Sequence, residues 1–103
     1  MKSEEFKELA LSFPGTESAP HFDRLAFRIV KGKIFASLLE KSDSANLKLS
    51  KEDQKVFSEY EGKQIFPVPN KFGDQGWTTF ELSELPEGLM LDALNAAYLN
   101  CKK

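Results

Sequence analysis

Apolar and polar residues alternate along the chain in two distinct periods, and the switches between them mark the elements. Phe6, Leu9, Ala10 and Phe13 recur at helical spacing, which predicts a first helix from Glu4 capped by Ser3 and stopped by Pro14-Gly15. "SAPHFD" then leads into "RLAFRIV", where Leu25, Phe27 and Ile29 alternate with Ala26, Arg28 and Val30. The "KGK" turn with Gly32 and the apolar "KIFASLLE" complete a predicted β-hairpin. After "KSDS", the segment "ANLKLS" alternates again, with Ala45, Leu47 and Leu49 opposed to Asn46, Lys48 and Ser50.

Ser50 and Asp53 then read as the cap of a short helix, Lys51–Tyr60, with Val56, Phe57 and Tyr60 inward. "QIFPV" is a brief extended piece that its prolines confine to an edge. "GWTTFEL" is a strand with Thr78, Phe80 and Leu82 inward and Trp77, Thr79 and Glu81 outward. Ser83 and Pro86 open a last helix whose buried stripe is Met90, Leu91, Leu94, Ala97, Tyr98 and Cys101.

The resulting order is α-β-β-β-α-β-β-α. Short turns imply antiparallel pairing, and helices with one apolar stripe need a sheet to cover. The fold class is therefore α+β: a two-layer sandwich of about five antiparallel strands with helices on one face, one domain spanning residues 1–103.

Composition excludes more than it identifies. The chain has 41% hydrophobic and 29% charged residues, the balance of an ordinary globular domain. The single Cys101 cannot form an internal disulfide, and one His with one Cys cannot make a strong zinc site, so no metal and no cofactor are expected. "MKSEEFKELALSF" is acidic and amphipathic, without a signal-peptide or membrane-spanning run, which predicts a cytoplasmic protein, a monomer or weak dimer, without a membrane partner.

Net charge is −2, against a generic nucleic-acid binder. Yet residues 21–50 carry an excess of +3, with Arg24, Arg28, Lys31, Lys33, Lys41 and Lys48 against Asp23, Glu40 and Asp43. Strand parity sets Arg28, Asn46, Lys48, Trp77 and Thr79 on the face that helices do not cover. Aromatic rings stack on bases and cations meet phosphates, so this face is a candidate nucleic-acid platform. Trp77 read as a satellite core residue under the proline loop is the competing view.

"FPVPNKFGDQGWTTFEL" concentrates prolines, glycines and the only tryptophan in one segment. Pro67 and Pro69 stiffen it, Gly73 and Gly76 permit a sharp turn, and Asn70 and Lys71 sit at its tip. A preorganised loop of this kind suits partner binding, and equally a structural corner. His21 lies beside Asp23 and Arg24, but no nucleophile motif accompanies it, and no constellation requires an enzyme. A non-enzymatic binding module is expected.

"LSFPGTESAPHFDRLAFRI", "KIFASL", "NLKLSKEDQ" and "FPVPNKFGDQGWTTFEL" followed by a C-terminal helix together resemble the MmcQ/YjbR family of small bacterial proteins. The resemblance runs in order across nearly the whole chain. It implies an α-β(3)-α-β(2)-α two-layer fold and a DNA-binding role through a double-wing arrangement, with no catalytic residues or cofactors to carry over. The chain departs from the family pattern at Phe72, where a tryptophan is frequent, at Asp74, where a basic residue is common, and at Leu25, where a proline often stands. Asp74 places a negative charge near Trp77 and weakens phosphate binding.

Three functional expectations follow. A nucleic-acid-binding or regulatory module would use Arg24, Arg28, Lys31, Lys33, Lys48, Asn70, Lys71 and Trp77. A protein- or peptide-interaction adaptor would use the open sheet face or the proline loop. A small-molecule binder or enzyme would have a pocket near His21, Asn70 and Trp77.

Overall fold

The computed structural model describes residues 1–102. Six strands form one antiparallel sheet in the spatial order β1-β2-β3-β4-β6-β5. They are β1 (Thr16–His21), β2 (Arg24–Ile29), β3 (Ile34–Leu39), β4 (Ser44–Lys48), β5 (Ile65–Pro67) and β6 (Trp77–Glu81). The helices are α1 (Ser3–Leu11), α2 (Lys51–Ser58), the single turn α3 (Lys71–Asp74) and α4 (Glu87–Lys102).

The α+β class, the antiparallel pairing and the covered-face parity match the sequence reading; the count of about five strands does not. β1 is the added strand, in the segment read as a lead-in. It is mostly exposed and polar, so it lacks the apolar alternation that marks a half-buried strand. It pairs along its whole length with β2, from Thr16 opposite Ile29 to His21 opposite Arg24. α3 is likewise added, within the proline loop.

The covered face carries Phe27, Ala36, Leu38, Ala45, Leu47 and Phe80, all fully buried under α1, α2 and α4. Phe6 of α1 meets Phe27 edge-to-face at 5.7 Å between ring centres, and Phe57 of α2 meets Phe80 at 6.0 Å. Between β2 and β3 the register jumps: Phe27 faces Ala36, but Arg28 faces Ile34. Phe35 is the extra residue of this bulge. It turns inward, its ring 5.8 Å from that of Tyr98 on α4. As a result Phe35 and Ala36 are both buried, while Ile34 and Ser37 both reach the open face.

Four local expectations are corrected. Ser3 does not cap α1; its hydroxyl donates to Asp43, and the Lys2 amide instead meets the Glu5 carboxylate at 3.0 Å. Val56 is 65% exposed rather than inward, because α2 turns Gln54 and Phe57 to the protein. Leu91 is 43% exposed, and Ala93 takes its place in the α4 contact. The β2–β3 turn forms at KGK as expected, with Lys31 in the left-handed region (φ 62°). Ser83 lies in a separate 3-10 turn, Leu82–Glu84, so α4 begins after Pro86.

Cys101 is buried in α4 with its thiol against the Ile34 carbonyl at 3.7 Å. Burial pushes the thiol pKa up, opposed by the charges of Lys48 and Lys33.

Candidate functional site

The open face of the sheet is not flat. The segment after β5 folds back over it and encloses a cleft of about 330 Å3. Ala26, Ile34, Ser37 and Asn46 form the strand-borne floor. Val68, Asn70 and Phe72 form the wall supplied by the proline loop, and Trp77 stands at the start of β6. His21 and Arg24, which face each other across the β1–β2 turn, close the opposite rim.

The loop wall is held by short-range sterics and by one side chain from α2. The Asn70 side-chain oxygen accepts from the Phe72 amide at 2.8 Å, and the Val68 amide donates to the Trp77 carbonyl at 3.0 Å. Gly73 lies so close to Val68 that a Cβ would stand 2.0 Å from the Val68 carbonyl oxygen. Gly76 has φ +105°, and a Cβ there would stand 1.9 Å from the Leu49 carbonyl oxygen. Both glycines of the loop are therefore required by backbone contact, which explains why one segment concentrates such residues.

Buried Gln54 of α2 donates to the Gly73 carbonyl at 2.8 Å and to the Trp77 carbonyl at 3.2 Å. It ties both ends of the turn to the helix layer. Gln54→Leu keeps the volume and removes both bonds, at about 0.5–1.5 kcal/mol each. Amide hydrogen exchange should then speed up at Gly73 to Trp77 while the centres of β3 and β4 keep their protection. Unchanged exchange in the loop would show that Gln54 does not hold it.

The residues singled out in the sequence divide into those the cleft gathers and those it does not. His21, Arg24, Asn70 and Trp77 all line it. Trp77 is half-buried, and its indole N–H donates to no protein group among the described residues. His21 is exposed, its ring 4.9 Å from that of Phe22. Arg28 is paired with Glu17 across β1 and β2. Lys48 stands opposite Trp77 in the register, and its ammonium donates to the Gln75 carbonyl. Lys31 and Lys33 are exposed in the β2–β3 turn, and Lys71 lies 5.9 Å from the centre of the Phe72 ring.

Four cleft residues were not singled out: Ala26, Ile34, Ser37 and Val68. Ala26 and Ser37 face each other in the regular part of the β2–β3 ladder and share the open face, but the position of Ile34 depends on the Phe35 bulge, which leaves no mark in the alternation. Phe72 entered only as a departure from the family pattern; here it is a wall residue, 48% exposed.

Arg24 has a distinct setting. Its Nε donates to the Ser37 hydroxyl at 3.1 Å. Burial draws its pKa below the ordinary arginine value, with the charge of neighbouring Asp23 opposing that shift. No Asp or Glu lines the cleft. No group of three or more His, Cys, Asp or Glu side chains that could hold a metal is present among the described residues. No described helix is long and apolar enough to cross a membrane.

The YjbR family model matches residues 11–100. No curated protein matches the chain in sequence. Among solved structures, a Deinococcus radiodurans protein carrying the DUF419 domain is similar with a TM-score of 0.80 and 20% identity, over 96% of this chain and 77% of that one. A Pseudomonas syringae protein is similar with a TM-score of 0.78 and 19% identity, over 98% and 99% of the two chains. At these identities the likeness establishes the fold.

Proposed function

The chain belongs to the YjbR family, and from that premise we propose that it is a binding module that takes one small, flat ligand group in the open-face cleft. The observation that carries this reading is the cleft itself. Its volume of about 330 Å3 falls at the lower end of ligand pockets, and it combines apolar walls with a few polar groups. The loop wall is pinned by Gln54 and by two glycines in backbone contact, so little ordering is needed on binding. The same cleft gathers no nucleophile with a base and orienter, which favours binding over catalysis.

Trp77 is the only tryptophan and lines the cleft, so its emission reports occupancy directly. Titration with small aromatic compounds should change that emission saturably. Ser37→Phe, which fills the floor, should abolish the response while leaving a cooperative thermal melt. Emission indifferent to every compound in the panel would sink the reading.

A second reading, binding of single-stranded nucleic acid along the same face, is supported by Lys48 standing directly opposite Trp77 across β4 and β6. That pair juxtaposes a cation with a ring on which a base can stack. The Arg28–Glu17 pair weighs against it, since it neutralises one of the cations counted for phosphate contact. In the same fluorescence assay, oligonucleotide binding through about three or four phosphates gives a log–log salt slope near −3. Oligonucleotides that leave the emission unchanged at low salt would remove this reading and leave the small-ligand one in place.

A further inference from the structure

The geometry points to Arg24 as an anion anchor: we propose that the ligand of the cleft is a small molecule bearing a carboxylate or phosphate monoester beside its flat group. This rests on the cleft being the ligand site. Arginine offers five N–H donors, and only Nε, donating to Ser37, is used within the described residues. Arg24 is partly buried and forms no salt bridge among the described residues, whereas Arg28 has Glu17. The charge of neighbouring Asp23 opposes the desolvation of Arg24 without outweighing it, and an incoming oxyanion offsets the remaining cost. The guanidinium fork matches the planar geometry of a carboxylate and two oxygens of a phosphate.

The other polar groups are biased the same way. The Asn46 side-chain oxygen already accepts from the Thr79 hydroxyl at 2.7 Å, and that of Asn70 from the Phe72 amide at 2.8 Å. Each carboxamide therefore has its acceptor engaged and its NH2 donors uncommitted. With no carboxylate in the lining, the cleft is rich in donors and poor in acceptors. Trp77 and Phe72 supply surfaces for the flat part of the ligand.

The test compares phenyl phosphate, phenylacetate and the neutral phenylacetamide, by Trp77 emission and by NMR shifts of the Trp77 indole and Arg24 Nε–H signals. Both anions should bind about tenfold or more tightly than the amide, the usual advantage of hydrogen bonds to charged groups. The stronger of the two identifies the oxyanion source. Arg24→Gln should erase the anion preference, bringing the affinity for both anions down to that for the amide. Arg24→Lys keeps the charge but not the fork, so it should weaken anion binding several-fold and guards against misfolding of the glutamine variant. Equal affinity for anions and amide, or wild-type anion affinity in Arg24→Lys, would overturn the anchor while the cleft reading stands. No response of Trp77 to any of the three compounds would overturn both.

Discussion

Replacing Phe80 with alanine should destabilise the protein by about 3–5 kcal/mol, the usual cost of emptying a buried phenylalanine site. Phe80 is fully buried on β6 and contacts the Phe57 ring of α2. Its strand neighbours are Ala45 on one side and Ile65 on the other, both buried. The surrounding strands are fixed by their ladders, so the site cannot collapse fully and a cavity remains. Guanidinium melts of Phe80→Ala and wild type, compared at equal slope, measure the loss. A difference within about 1 kcal/mol would mean that this position contributes far less than full burial implies.

Gly76→Ala should cost at least about 2 kcal/mol and, unlike Phe80→Ala, should reshape the cleft. Two penalties coincide at this residue. The backbone at φ +105° is one that side chains rarely adopt, and the added Cβ meets the Leu49 carbonyl oxygen at 1.9 Å. Relief requires moving the β6 start away from the end of β4. That movement breaks the bond from the Leu49 amide to the Gly76 carbonyl at 3.0 Å and displaces Trp77, the next residue. The expected result is a lowered melting point together with a changed Trp77 emission spectrum in the folded state. A variant with wild-type stability and emission would show that this backbone contact can be relieved at no cost. Gly88, where a Cβ would meet nothing within 4 Å, is the internal control: alanine there should leave the cleft unchanged.

Much of the architecture was legible because it is local. Leu47 and Leu49 alternate with Asn46 and Lys48, and period two alone assigns the first pair to the core and the second to the open face. The final helix was legible from its apolar stripe, apart from Leu91. Its spacing fits the stripe, but where α4 packs on β3 and β4 it is Ala93 that is buried and Leu91 that stays exposed. Val56 failed for the same reason: an apolar residue at the right spacing is buried only if the neighbouring layer extends over it. β1 was invisible because an exposed strand gains its order from pairing with β2, not from its own side chains.

The candidate site divides along the same line. Its individual residues carried signals in the chain: the lone tryptophan, the glycines of the proline loop, the basic run containing Arg24. The partial enclosure of the open face did not. It depends on the Phe35 bulge, which directs Ile34 to the side of Ser37, and on Gln54 reaching from α2 to the carbonyls of Gly73 and Trp77. It depends also on β1 carrying His21 to the rim facing a loop that lies far along the chain.

By itself, then, the sequence determined the element types, the antiparallel class and the inner face of most strands, because propensity and periodicity act over a few residues. Only the tertiary structure decided which cations keep their charge unpaired, which glycines touch backbone and where the sheet is roofed. Those properties are set by contacts between segments distant in the chain, and no local pattern encodes them.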